Sequence, residues 1–235
     1  MVGWVIPPPK RPEKTKEEFS GERVEKVKWL ISEGFLRSEG IIKAMLKVPR
    51  EDFTAEMYRD YAYLEVPLPI PGREATISCP HSYPLFYEAL GLKEGENFLE
   101  VGTGSGYGAV LAREVVGSGG KVVTVEIDEE TYKFAKENIE KLGYKDILLI
   151  LGDGSLGYSL EAPYDKICIT ATCPRIPDPL IRQLRPWGRL IAPLGHPNIP
   201  QDLILLTKRQ NGSLESKVVE KVIYVPLRGE HGWSQ

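Results

Sequence analysis

The chain has 235 residues and a mass of 26.3 kDa, which at roughly 150 residues per domain allows one large domain or one domain with an appendage. Hydrophobic residues make up 42% and charged residues 27%, an ordinary globular balance that excludes collagen-like, disordered and disulfide-scaffold readings. A formal net charge of -3 argues against a protein whose main work is gripping phosphate backbones.

Met1 to Ile6 is briefly apolar and then meets Pro7, Pro8 and Pro9. It is too short for a secretory h-region, and a mobile tail is expected there. From Lys10 to Arg50 the chain is charge-dense and helical in period. Val24, Val27, Leu30 and Ile31 fall on one predicted face, with Gly34 as the stop. A second amphipathic stretch carries Ile41, Ile42, Met45 and Leu46, with Ser38 as N-cap and Pro49 at its end. Residues 61 to 84 contain six prolines or glycines spaced too closely for a long helix or a central strand. The spacing of Leu85, Phe86, Ala89 and Leu90 predicts a helix after them.

From residue 97 the pattern alternates between strand and helix. Strands are expected at 97–101, 122–127, 147–151 and 166–170. Between them, Tyr107, Val110, Leu111 and Val115, then Tyr132, Ala135, Ile139 and Leu142, recur at helical spacing. Short apolar runs separated by helices mean βαβ units and a parallel sheet. Residues 203–208 and 217–225 read as two further strands around Asn211-Gly212, a strong hairpin signal. The expected fold is therefore α/β, a doubly wound, mainly parallel sheet ending in an antiparallel hairpin. Residues 1–75 form a helical and Pro-rich extension packed on the domain of residues 76–235.

The most informative stretch is Phe98-Leu99-Glu100-Val101-Gly102-Thr103-Gly104-Ser105-Gly106-Tyr107-Gly108. A strand runs into a glycine-rich turn that opens a helix, where a backbone can approach a ligand closely. A dinucleotide register through Gly104, Gly106 and Ala109 falls too late, already inside the helix. The better register is Glu-x-Gly-x-Gly-x-Gly at Glu100, Gly102, Gly104 and Gly106. This resembles the cofactor loop of class I S-adenosylmethionine-dependent methyltransferases, Rossmann-like enzymes whose next strand ends in an acid for the ribose hydroxyls. Glu126 holds that place, twenty residues after Gly106. Asp153-Gly154 is similar to the family's adenine-edge contact. The resemblance implies a cofactor site of Glu100, Gly102, Thr103, Gly104, Ser105, Gly106, Glu126, Ile127, Asp153 and Gly154.

A narrower resemblance follows from Thr76-Ile77-Ser78-Cys79-Pro80-His81, which is similar to the Thr-Ile-Ser-Ala/Gln-Pro-His/Tyr loop of protein-L-isoaspartate O-methyltransferases. Pro49-Arg50-Glu51-Asp52-Phe53, Ala62-Tyr63 followed by Leu68-Pro69-Ile70, Ala162-Pro163-Tyr164-Asp165-Lys166 and Val222-Ile223-Tyr224-Val225-Pro226-Leu227 match the same family. The likeness runs from about residue 24 to 228. Cys79, Ser82-Tyr83 and Arg228 depart from its usual residues.

This resemblance implies methyl transfer from S-adenosylmethionine, giving S-adenosylhomocysteine, to the free α-carboxylate of isoaspartyl residues in aged proteins and peptides. That carboxylate is ionised at pH 7, so no general base is needed, and alignment can carry catalysis. Ser78 is the implied catalytic residue, orienting the acceptor by a hydrogen bond. Thr76, Ile77, Ser78, His81, Val225 and Arg228 are the implied substrate contacts. His196 and His231 read as surface or turn residues.

Other readings stay open on the same residues: a nucleic-acid methyltransferase, a cofactor-binding protein without catalysis, or a nicotinamide oxidoreductase. The acidic pI and the lack of an Asn/Asp-Pro-Pro-aromatic motif at Thr170 to Pro174 speak against the first. Cys79, Cys168 and Cys173 are odd in number and lack CxxC or His/Cys spacing, so no metal and a reducing cytoplasm are expected. No apolar run nears the ~18 residues that span a membrane. Neither nucleic acid nor membrane is an expected partner, and a monomer is favoured.

Overall fold

The computed structural model describes residues 5–233; Met1 to Trp4, the first part of the expected tail, lie outside them. Helix α1 (Lys16–Ser32) starts at a reciprocal cap. The Thr15 hydroxyl accepts from the Glu18 amide, and the Glu18 carboxylate accepts from the Thr15 amide. Its buried side chains are Phe19, Val27 and Leu30, while Val24 and Ile31 are exposed. The expected face is thus rotated, because the inward stripe begins one turn earlier, at Phe19. Gly34 takes φ +78° and stops the helix as expected. The segment before α1 is tied down from Lys10 onward. Buried Asp60 accepts from the Glu13 and Lys14 amides and pairs with Lys10 at 2.7 Å.

Helix α2 (Glu39–Lys47) follows. Ser38 sits at its N-cap position without a side-chain cap bond; its hydroxyl donates to Glu88 instead. Two 3-10 turns, Arg50–Phe53 and Glu56–Tyr61, lead into a minimal antiparallel pair, β1 (Leu68–Pro69) and β2 (Thr76–Ile77). That pair straddles the boundary expected at residue 75. Helix α3 (Ser82–Leu90) comes next. The main core joins Leu30, Leu36 and Ile41 from the first seventy-five residues to Phe98, Val110 and Ile191 of the sheet region.

The sheet has seven strands in the order β5-β4-β3-β6-β7-β8-β9. β3 (Asn97–Val101), β4 (Lys121–Glu126), β5 (Ile147–Leu151), β6 (Tyr164–Ile169) and β7 (Leu184–Leu194) run parallel. β8 (Gln201–Lys208) and β9 (Leu214–Val222) add antiparallel. Helices α4 (Tyr107–Val116) and α5 (Glu129–Lys141) connect the first three strands, and short α6 (Asp178–Gln183) precedes β7. β7 and α6 were not foreseen. Pro186, Gly188 and Pro193 read as breakers, yet the strand absorbs them with a register shift against β6 and a positive φ at Trp187. The hairpin is present, with Gly212 at φ +83° in its turn, though β9 begins three residues before the expected Lys217.

The chain runs outward from β3 to β5 and then returns to β6 beside β3. In such sheets ligands bind beyond the carboxyl ends of the strands, at this switch in strand order. The glycine turn after β3, Glu126 at the end of β4 and Thr170 after β6 all meet there.

Candidate active site

A cleft of about 1030 Å³ opens at those strand ends, the upper end of the size range for small-molecule sites. Its floor is the glycine turn. Gly102 has φ +94°, and a Cβ there would lie 2.4 Å from the Thr170 hydroxyl, so no other residue fits. That hydroxyl donates to the Gly102 carbonyl at 2.7 Å, tying the turn to β6. From the other side, the Asn138 side-chain amide of α5 donates to the Ser105 carbonyl at 3.0 Å. Gly104 has φ +56° and lines the cleft.

Glu126 is 6% exposed. One carboxylate oxygen accepts from the Gly104 amide at 3.0 Å; the other accepts from the amides of Ile127 and Asp128. It is a brace as well as a ligand candidate. Ile127 lines the same wall with its side chain partly exposed.

Glu100 lies deeper, within β3, and is 2% exposed. The Thr124 hydroxyl donates to it at 2.8 Å, and the Thr103 hydroxyl is 2.7 Å from that of Thr124. Burial pushes the Glu100 carboxyl up to about 8; the Thr124 bond opposes this and the nearby Glu126 charge adds to it. Burial thus favours the neutral acid at Glu100.

The opposite wall is the Ser78 loop. β2 presents Thr76 to the cleft, and Ser78 and His81 follow. His81 Nδ1 lies 2.7 Å from Glu65, which also accepts from the His81 amide and, at 3.0 Å, from Lys26. Burial works to raise the Glu65 pKa, but the bonds from His81 and Lys26 outweigh it and hold the group at about 2. The Phe35 ring packs on His81 with centroids 5.2 Å apart. Cys79, Glu65 and His81 bring potential metal-ligand atoms within 4.8 Å of one another. Glu65 is already engaged by His81 and Lys26, and burial, with the Glu65 charge, pushes the Cys79 thiol up to about 12.

The C-terminal segment closes the third side. Thr172 donates its amide to the Val225 carbonyl at 2.8 Å. The Thr172 carbonyl accepts from the Leu227 amide and, at 2.9 Å, from the Trp233 indole. Val225, Arg228 and Trp233 line the cleft, and Arg228 lies 3.4 Å from Asp128.

Of the expected residues, thirteen line this one cleft: Thr76, Ser78, His81, Glu100, Gly102, Thr103, Gly104, Ser105, Glu126, Ile127, Gly154, Val225 and Arg228. Three do not. Ile77 is buried in the core. Gly106 caps α4 and packs against Ile139. The Asp153 carboxylate accepts from the Ser155 amide at 2.9 Å and the Glu230 amide at 2.7 Å, so it fastens the C-terminal segment. Sequence reasoning missed Asn138, Thr170, Thr172 and Trp233. Only Asn138 left a trace, as a polar residue three positions after Ala135 on the inward face of α5.

The family model for protein-L-isoaspartate(D-aspartate) O-methyltransferase (PCMT) matches residues 22–232. The chain belongs to that family. A protein-L-isoaspartate O-methyltransferase from Pyrococcus horikoshii is 46% identical over 209 residues, 89% of this chain and 94% of the relative. One from Hyperthermus butylicus is 43% identical over 94% of both chains. A solved protein-L-isoaspartate O-methyltransferase superposes with a TM-score of 0.80 at 32% identity, covering 89% of this chain and 67% of that one. A Plasmodium falciparum relative, solved in complex with S-adenosyl-L-homocysteine, gives 0.76 at 25% identity, covering 87% and 97%. The chain is thus an S-adenosylmethionine-dependent methyltransferase of isoaspartate repair, and the expected fold and reaction hold. Among the described residues no helix is long and apolar enough to cross a membrane.

Proposed function

We propose the following division of labour in the cleft. S-adenosylmethionine, when bound, supplies a methyl group on a positively charged sulfur, open to attack by a carboxylate. The residues fit such a group: a glycine floor cleared of side chains, a buried acid at the end of β4, and an apolar wall at Ile127. Gly102, Thr103, Gly104, Ser105 and Gly154 shape the floor. Glu126 keeps a lone pair for a ribose hydroxyl on the oxygen that takes only the Gly104 amide, the other oxygen being filled by the Ile127 and Asp128 amides. Ile127 covers the base. Glu100 holds the turn through Thr124 and Thr103. Asp153 acts by holding the Glu230 amide, between the cleft residues Arg228 and Trp233.

Ser78 faces the cleft from the opposite wall and orients the α-carboxylate of the isoaspartyl residue by donating a hydrogen bond. Thr76, His81, Val225 and Arg228 complete the acceptor side. With Nδ1 committed to Glu65, His81 offers only Nε2. No base is required, because the acceptor is already ionised. The rate then comes from holding two reactants in line. The substrates are isoaspartyl residues in damaged proteins and peptides, met by a monomeric enzyme in the cytoplasm.

The observation that carries this reading is the meeting of Ser78 and Glu126 in one cleft, from segments nearly fifty residues apart. The test is a crystal structure with S-adenosylhomocysteine and an isoaspartyl peptide. The ribose should lie on Glu126 and the α-carboxylate within hydrogen-bond distance of the Ser78 hydroxyl. A carboxylate held elsewhere would overturn the acceptor assignment.

A further inference from the structure

We infer that Arg50 is a positioning residue for methyl transfer, setting the Ser78 loop against the cofactor turn; this rests on the reading of Ser78 above. Arg50 opens the 3-10 turn Arg50–Phe53 and is 1% exposed. Its Nε donates to the Ala62 carbonyl at 2.6 Å, and its Nη2 donates to the Ser78 carbonyl at 2.6 Å. The guanidinium lies over two rings, 5.4 Å from the centroid of Tyr107 and 5.7 Å from that of Tyr83. Tyr83 lines the cleft, and Tyr107 begins α4 directly after the glycine turn. One buried side chain therefore touches the acceptor loop and the first residue beyond the cofactor loop.

The rest of the turn supports the same joint. Phe53 packs edge-on against Tyr107 at 5.4 Å. Glu51 accepts from Tyr63 at 2.5 Å and from Arg23 at 2.6 Å, so it is engaged elsewhere. Among the described residues no carboxylate pairs with Arg50. A buried guanidinium with no paired carboxylate and with its Nη1 left without a hydrogen-bond partner is costly, and an apolar residue would fill the space more cheaply. What an apolar residue cannot do is fix the direction of the Ser78 carbonyl, and with it the Ser78 backbone from which the hydroxyl projects. Lysine cannot replace it, because a single ammonium nitrogen cannot stand at both the Nε position facing Ala62 and the Nη2 position facing Ser78.

The test compares Arg50→Lys, Ser78→Ala and the double variant in the full chain, with S-adenosylmethionine and an isoaspartyl peptide. Assays run at a temperature where circular dichroism shows every variant folded; Arg50→Gln stands in if Arg50→Lys does not fold. Arg50→Lys should lower kcat at least tenfold while S-adenosylhomocysteine affinity, by calorimetry, stays within threefold. The double variant should be no slower than Ser78→Ala alone. A kcat loss matched by lost cofactor affinity, an unchanged kcat, or multiplicative losses in the double variant would overturn the role of Arg50. Full activity in Ser78→Ala would instead overturn the reading of Ser78, and the coupling with it.

Discussion

The Gly104 amide donates to Glu126 at 3.0 Å, so the acid at the end of β4 and the turn after β3 form one unit. Removing the carboxylate takes an acceptor from three backbone amides and, in the proposed site, from the ribose. Glu126→Ala should weaken S-adenosylhomocysteine binding by about 1.5–3 kcal/mol, roughly ten- to hundredfold in Kd. Isothermal titration calorimetry measures this directly, and an unchanged Kd would move the ribose elsewhere.

Ser78 lines the same cleft from the loop after β2. Ser78→Ala should lower kcat for an isoaspartyl peptide about ten- to hundredfold, the cost of a misaligned acceptor. Cofactor affinity should stay within about twofold, since the loss is confined to the acceptor side. A parallel fall in both would show that the hydroxyl serves the cofactor.

Glu100 makes the fold sensitive to pH in an unusual sense. Its carboxyl is held at about 8 in the folded chain, against an ordinary value of 4.5. Between those values the native state binds more protons than the unfolded one, so stability falls as pH rises from about 4.5 to about 8. Glu100→Gln is neutral throughout and lacks that slope. Its stability relative to the parent should rise across this window by an amount on the order of a few kcal/mol. Denaturant unfolding at pH 5, 6.5 and 8 would show it, and a constant difference would refute it.

Asp153 anchors the amides of Ser155 and Glu230. Asp153→Ala should release the segment around Glu230 and speed amide exchange at residues 229–233. Cofactor affinity should drop severalfold, because Trp233 borders the cleft. Exchange rates indistinguishable from the parent's would mean that Ser155 and Thr172 hold the segment without Asp153.

The sheet and the glycine turn were legible because their signals are local. β3, β4 and β6 are buried strands and read as short runs rich in Val, Ile, Leu and Phe. β7 was hidden by Pro186, Gly188 and Pro193, residues whose usual effect is cancelled by neighbours on both sides. On α1 half of the expected face holds: Val27 and Leu30 are buried, while Val24 and Ile31 are exposed and Phe19 lies outside the expected stripe. In the site, Glu126 was found by its place after a strand. Asn138, Thr170 and Thr172 were not, because each acts through a backbone atom distant in sequence, which no motif records. Asp153 was seen, but its partner at Glu230 was beyond any local pattern.

The strand-end cleft takes one of its walls from Val225, Arg228 and Trp233. During synthesis the glycine turn, Glu126 and the Ser78 loop all emerge well before that wall. A nascent chain stalled ahead of Trp233 would own every motif by which the family is recognised and still lack the enclosed site. The cleft is complete only when residues 225–233 have joined the strand ends.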